Sequence, residues 1–167
     1  MPSSDTLTIK PIRELFDKYA FGVTVDPFAR NCQLCKVTND LNPDTKAEHH
    51  KKADKFLQDL DVMNFVLFDP PYTIGQVKQV YQSVGLEFMK YESQNCIRWT
   101  TERNIIAKKQ SQGDLVMSLG YSSTCMGEKR GYEIIEILLV PHGSAHNDTI
   151  CVVERKLPVL QTAFEAV

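Results

Sequence analysis

The stretch that most limits how this chain can fold is Phe65 to Tyr72, which reads Phe-Val-Leu-Phe-Asp-Pro-Pro-Tyr. Phe65 to Phe68 is an unbroken apolar run, and such a run suits a central strand of a parallel sheet, buried on both faces. Neither proline can donate to a ladder, so the strand must stop at Asp69. That ending puts Asp69, Pro70, Pro71 and Tyr72 at the carboxyl edge of a strand, where open α/β sheets hold their ligands.

The tetrapeptide also has a chemical use. Asp69 supplies carboxylate acceptors. Pro70 lacks an N–H, but its carbonyl is an acceptor whose direction the Pro-Pro backbone fixes. Two acceptors converging on one exocyclic amine can take both its hydrogens and leave the nitrogen lone pair free to attack. Tyr72 offers a flat face on which a purine can stack, worth ~1–3 kcal/mol per base. The plainer reading is a strand end with a proline-stiffened turn. The apolar strand in front of it favours the chemical one. In this setting Asp69 to Tyr72 resembles the motif of the amino-group methyltransferases, above all the DNA adenine-N6 enzymes that use S-adenosylmethionine.

A chain of 167 residues suits one domain around a single core, with 1–8 as a polar, mobile arm. Its net charge is −2, so no global basic field points to nucleic acid, and a nucleic-acid substrate needs a local basic patch. Five cysteines without a secreted framework suggest a reducing compartment. Cys32 and Cys35 form a Cys-x-x-Cys pair, but a second pair is missing, so free thiols rather than a zinc site are expected. Polar opening residues and the lack of a long apolar run argue against a leader or a membrane span.

In order, Pro11 to Tyr19 has the spacing of a helix, with Pro11 in its first turn. Gly22 to Phe28 reads as a first strand running into Asp26 and Pro27. Val37 to Leu41 reads as a short second strand ending in an acid, Asp40, which otherwise serves as a turn-capping Asx residue. Thr45 to Leu57 reads as a polar helix, with His49 and His50 solvated. After Tyr72, residues 73 to 86 show helical spacing at Ile74, Val77, Tyr81 and Val84. Glu87 to Trp99 interleaves aromatic, amide and basic residues: Lys90, Tyr91, Gln94, Asn95, Arg98 and Trp99 are nucleic-acid contacts or, equally, a loop anchored by one tryptophan. Thr100 to Gln110 is a helix capped by Thr100 or Thr101, and Asp114 to Leu119 an apolar strand. Gly131 to Val140 and Thr149 to Arg155 read as a closing hairpin, with His142 and His146 in its turn, and the chain ends in a short tail, 157 to 167.

The resemblance covers most of residues 11 to 156, and it implies a class I methyltransferase. That is an α/β, Rossmann-like, doubly wound, mostly parallel sheet with a C-terminal antiparallel hairpin and the Asp-Pro-Pro-Tyr strand fourth or nearby. It implies Asp69, Pro70 and Tyr72 as catalytic residues. It places S-adenosylmethionine against Asp26, Pro27, Phe28, Ala29 and Asp69, with Asp40 at its ribose and Lys52 or Asp54 toward its adenine. Arg30, Asn31 and Cys32 stand where the family carries small residues or glycine, a departure in the cofactor loop. Pro71, Thr73, Lys129 and Arg130 would touch substrate, and Tyr121 or Ser122 would line the base pocket.

Within that family the chain resembles the small, phage-type adenine-specific enzymes, which implies action on a base flipped from duplex DNA, in a bacterial or phage-infected cytoplasm, without metal or membrane. A separate target-recognition domain has no room, so specificity would come from 73 to 99, a partner or a homodimer. Three alternatives stay open: an RNA base-amine methyltransferase, an inactive methyltransferase-like binding or partner subunit, and a nucleotide-binding α/β protein with a chance motif.

Overall fold

The computed structural model describes residues 6–88, 98–123, 125–143 and 147–158. The elements are α1 (Lys10–Tyr19), β1 (Thr24–Asp26), β2 (Val37–Thr38), α2 (Ala53–Asp59), β3 (Phe65–Phe68), α3 (Ile74–Ser83), α4 (Thr100–Lys109), β4 (Leu115–Gly120), β5 (Tyr132–Val140) and β6 (Thr149–Lys156). Six strands make one sheet in the order β2-β1-β3-β4-β6-β5. The first four run parallel, and β6 lies antiparallel between β4 and β5. The expected mostly parallel α/β sheet with a closing antiparallel hairpin is therefore present. The Asp-Pro-Pro-Tyr strand is the third described strand in the chain rather than the fourth.

β3 shows why the apolar run had to be central. Phe65 and Leu67 pack with Ile12, Leu15 and Phe16 of α1 on one face. Val66 and Phe68 pack with Phe56 and Leu57 of α2, Val77 of α3 and Ile106 of α4 on the other. Each such side chain contributes roughly 1.5–3 kcal/mol by leaving water. Phe16 meets Phe65 edge to face with ring centroids 5.4 Å apart.

Several boundaries differ from the sequence reading. Thr6–Thr8 forms a 3-10 turn with Leu7 buried, so that part of the arm is anchored. The helix expected over 45–57 is only Ala53–Asp59. Backbone pairing wins before it: Asp40 and His49 bond through N and O at 3.0 Å, and His49 N donates to Thr38 O at 3.0 Å. Thr100 and Thr101 do not cap α4. Its cap is Trp99, left-handed at φ 48°, with its ring drawn into the core. Thr73 caps α3 instead, its hydroxyl accepting from Gln76 N at 3.2 Å in a capping box. His142 sits in the hairpin turn, its Nε2 2.7 Å from Thr149 Oγ1. No described helix is long and apolar enough to cross a membrane. Lys90, Tyr91, Gln94, Asn95, His146 and the tail from 159 lie outside the described residues.

Two glycines separate backbone strain from crowding. Gly22 and Gly85 both have positive φ, 61° and 70°, but a Cβ on Gly22 would lie 2.4 Å from Asn64 Oδ1 whereas one on Gly85 meets nothing within 4 Å. Asn64 is held by Val23 N at 2.9 Å and Asp114 Oδ1 at 3.1 Å, so it cannot easily yield. Gly85→Ala is expected to cost about 1 kcal/mol and Gly22→Ala about 2–4 kcal/mol in urea unfolding. Equal losses would refute the crowding.

Candidate functional site

Two cavities meet where β3 ends. A cleft of about 650 Å³ is lined by Asp69 and Pro71 together with Phe28, Arg30, Asp40 and Asp54. A wider basin of about 1970 Å³ lies on the other side, lined by Pro70, Pro71 and Tyr72 with the loop after β4. Pro71 and Trp99 belong to both walls. Trp99 Nε1 donates to the Pro71 carbonyl at 3.4 Å, so the tryptophan is an anchor of the partition.

Burial raises the Asp69 carboxyl from 3.8 to about 6, while the Tyr72 hydroxyl and the Arg30 charge pull the other way. The Tyr72 hydroxyl donates to Asp69 Oδ1. Burial, then the Asp69 charge, push that phenol up, so it stays a donor across neutral pH. The Tyr72 ring packs against Tyr121 at 4.8 Å with a 59° tilt, leaving an aromatic wall toward the basin.

On the cleft side, Pro27, Phe28, Asp40 and Asp69 are brought together as expected, and both Lys52 and Asp54 join them. Asp26 and Ala29 are buried behind the lining rather than on it. Asp26 Oδ1 accepts Phe28 N at 2.9 Å, and burial, with the Asp69 and Asp40 charges, pushes its carboxyl well above the usual range. Asp40 both caps and lines: Oδ1 accepts Asn42 N at 2.8 Å and Oδ2 accepts Arg30 N at 3.1 Å. Asn39 is a linchpin that sequence reasoning passed over as a turn residue. Its amide donates to Pro27 O at 3.1 Å and Lys51 O at 3.0 Å, and its Oδ1 accepts Lys51 N at 3.0 Å. Cys32 and Cys35 are free thiols that burial pushes up, away from thiolate reactivity. No group of three or more His, Cys, Asp or Glu among the described residues could hold a metal ion.

On the basin side, Pro71, Tyr121, Ser122, Lys129 and Arg130 all line the wall. Thr73 lies outside both linings, its hydroxyl engaged as the α3 cap. Arg98 lines the basin too, and so does Arg103, which the helical spacing of 100 to 110 did not single out. The far wall is fixed by a missed acid. Glu154, 1% exposed, accepts Met126 N and Gly127 N at 2.8 Å each. A lone acid in Ile150-Cys-Val-Val-Glu154 was the available signal, since it sits where the strand alternation demands an inward side chain.

No family model and no curated protein matches the chain. Solved structures do resemble it. TrmN from Thermus thermophilus is 13% identical with a TM-score of 0.57, over 89% of this chain and 48% of that one. The Escherichia coli protein yhhF, a candidate methyltransferase, is 12% identical with a TM-score of 0.53, over 90% and 87%. SMU.1697c from Streptococcus mutans, a candidate methyltransferase solved with SAH, is 10% identical with a TM-score of 0.51, over 89% and 97%. At these identities the likeness is one of fold, the Rossmann-like sheet of methyltransferases.

The raised Asp69 value has a consequence for stability. The folded chain holds this proton more tightly than the unfolded one, so the contribution is complete below 3.8 and is lost as pH rises through about 6. Asp69→Asn removes that loss and retains an acceptor for Tyr72. It is expected to stabilise the protein by about 1–2 kcal/mol at pH 7.5, with the gain vanishing near pH 3.5. Thermal unfolding across that range reads it. A variant no more stable than the parent at pH 7.5 would show that Asp69 is not strained by burial.

Proposed function

We propose that the chain transfers a methyl group from S-adenosylmethionine to the N6 amine of adenine in DNA. The observation that carries this reading is the meeting of cleft and basin at Asp69, Pro70 and Pro71. A donor in the cleft and an amine in the basin would face each other across one carboxylate and one proline carbonyl.

The cleft suits the cofactor chemically. Its four acids, Asp40, Asp54, Asp69 and Glu102, outnumber Arg30, Lys51 and Lys52, which suits a sulfonium cation, and Phe28 offers a flat apolar face for a purine. The Asp40 oxygens each keep a second lone pair for a ribose hydroxyl. Bound there, the cofactor supplies a methyl group already activated for transfer. The SAH held by the Streptococcus mutans neighbour, which shares the fold, supports this choice.

The chain's own part is positioning. Tyr72 and Tyr121, packed against each other, form one aromatic wall on which the flipped base stacks. Asp69, as carboxylate, and the Pro70 carbonyl each accept one amine hydrogen, which aims the nitrogen lone pair at the cleft. A carboxyl near pH 6 is also suited to take the proton the amine gives up.

Labelled S-adenosylmethionine with unmethylated duplex DNA, beside Asp69→Ala and an RNA control, tests this. N6-methyladenine in DNA that falls by about 100-fold or more in the variant is expected. The rate should rise with pH through about 6, because the ionised carboxylate is the working form. Label in RNA alone would move the acceptor to RNA. No label, with the cofactor unbound, would leave a methyltransferase-like binding subunit.

A further inference from the structure

The basin holds a charge pattern that positioning an amine does not use. Arg98, Arg103, Lys129 and Arg130 line it against one acid, Glu128, in a chain whose net charge is −2. Arg103 stands apart from the others. It projects from α4 over the ring of Phe68, its guanidinium carbon 5.6 Å from the centroid. Its Nε is buried and has no hydrogen-bond partner among the described residues. Arg130, by contrast, is engaged, with Nε on Asn104 Oδ1 at 2.8 Å and Nη1 on Met126 O at 3.0 Å. Arg103 as a whole is half-buried and lines the open basin, so its one unpartnered buried N–H belongs to a guanidinium with room for an anion beside it. Phe68, Cys125 and Met126 make the surroundings apolar, which strengthens any charge pair formed there. The basin, with about 990 Å³ of usable space, is larger than one base requires, so sugar and phosphate fit with it.

We propose that Arg103 receives a phosphodiester of the strand that carries the target base, with Arg98 and Lys129 as the outer part of the same cationic track. The inference rests on the nucleic-acid reading above and names how that substrate is held. Arg103 thereby sets where the flipped nucleotide stops, and the adjoining Asp69-Pro-Pro-Tyr stretch meets its amine. Of two chemistries available to a guanidinium, phosphate and base edge, the surrounding arginine and lysine side chains favour phosphate. A base-edge reader needs no cationic track, whereas a backbone binder uses one.

The probe is an oligothymidylate with a single central adenine, as DNA and as its RNA counterpart, read by fluorescence anisotropy over a salt series. Arg103→Gln is expected to bind about 10- to 100-fold more weakly, with a salt dependence shallower by about one charge. Arg103→Lys should keep the salt dependence and recover part of the affinity. Neutral methylphosphonates at the linkages flanking the adenine should weaken wild-type binding by a similar factor and cost Arg103→Gln nothing more. Wild-type affinity in Arg103→Gln would overturn the proposal. So would a methylphosphonate loss undiminished in the variant, or sensitivity to 7-deazaadenine in place of methylphosphonate. Should Arg103→Gln not fold, the methylphosphonate series on the wild type decides alone. Methyl transfer on the same probes separates the two claims: phosphate-dependent binding without N6 methylation leaves the receptor standing and removes the proposed reaction, whereas methylation unaffected by Arg103→Gln does the reverse.

Discussion

The site depends on the abrupt end of one buried strand. β3 is paired on both edges, to β1 and to β4, and is covered on both faces. It stops because the residues after Asp69 are two prolines that cannot enter the ladder. The strand order makes that ending a junction. From β1 the chain moves outward to β2, then returns to the other side of β1 as β3 and continues to β4. The loops leaving β1 and β2 therefore wall the cleft, while the loop leaving β4 walls the basin. Asp69 to Tyr72 lies between them because it leaves the strand at the switch, the position where open α/β sheets bind ligands.

Charge is divided along the same line. The cleft mixes Asp40, Asp54, Asp69 and the buried Glu102 with Arg30, Lys51 and Lys52, whereas the basin carries Arg98, Arg103, Lys129 and Arg130 against the single acid Glu128. The basin is the side that favours an anion, and the partition between it and the mixed-charge cleft is a proline and a tryptophan ring without charge of its own. Asp69 gains from this arrangement. Burial favours its protonated form, and the Tyr72 hydroxyl, then Arg30 across the cleft, counter it, so the carboxyl is held near 6. The far wall is made rigid by the same economy of groups, since one buried carboxylate, Glu154, satisfies two successive backbone N–H groups.

What was legible in the sequence was whatever is decided locally. The run Phe65 to Phe68, the prolines behind it and the periodicity of 11 to 19 were each enough to place an element. Pro27, Phe28, Asp40, Asp69, Tyr121, Ser122, Lys129 and Arg130 do line the two cavities. What was not legible is decided by partners far along the chain. The residues 45 to 52 look helical alone, but Thr38 and Asp40 offer them a backbone ladder. Trp99 reads equally as a nucleic-acid contact or as a loop anchor until the core beside Phe28 and Phe68 is known to have room for it. Asn39 and Arg103 carry no local pattern, and Glu154 only that of an acid at an inward strand position. Their importance lies in which loop, 12, 28 or more residues away, or which empty wall, each one faces.

The loop that departs most from the glycine-rich pattern shows how the same backbone can be kept by other means. Arg30 takes φ 51°, the left-handed region that glycine enters freely and an arginine enters at a cost of about 1–2 kcal/mol. The surrounding hydrogen bonds over-determine that conformation. Asp40 takes Arg30 N, Asn39 O takes Ala29 N at 2.8 Å, and Asn31 Oδ1 takes Lys46 N at 3.0 Å. The turn that a glycine would permit is thus enforced by side chains instead. Replacing glycine with arginine also adds something glycine cannot supply, a cation on the cleft wall whose field reaches Asp69 and favours its ionised form. An acceptor for an amine must be ionised to accept both through charge and through lone pairs. The departure therefore favours the form of Asp69 that the proposed reaction uses, and the strain it carries sits on the wall of the cleft.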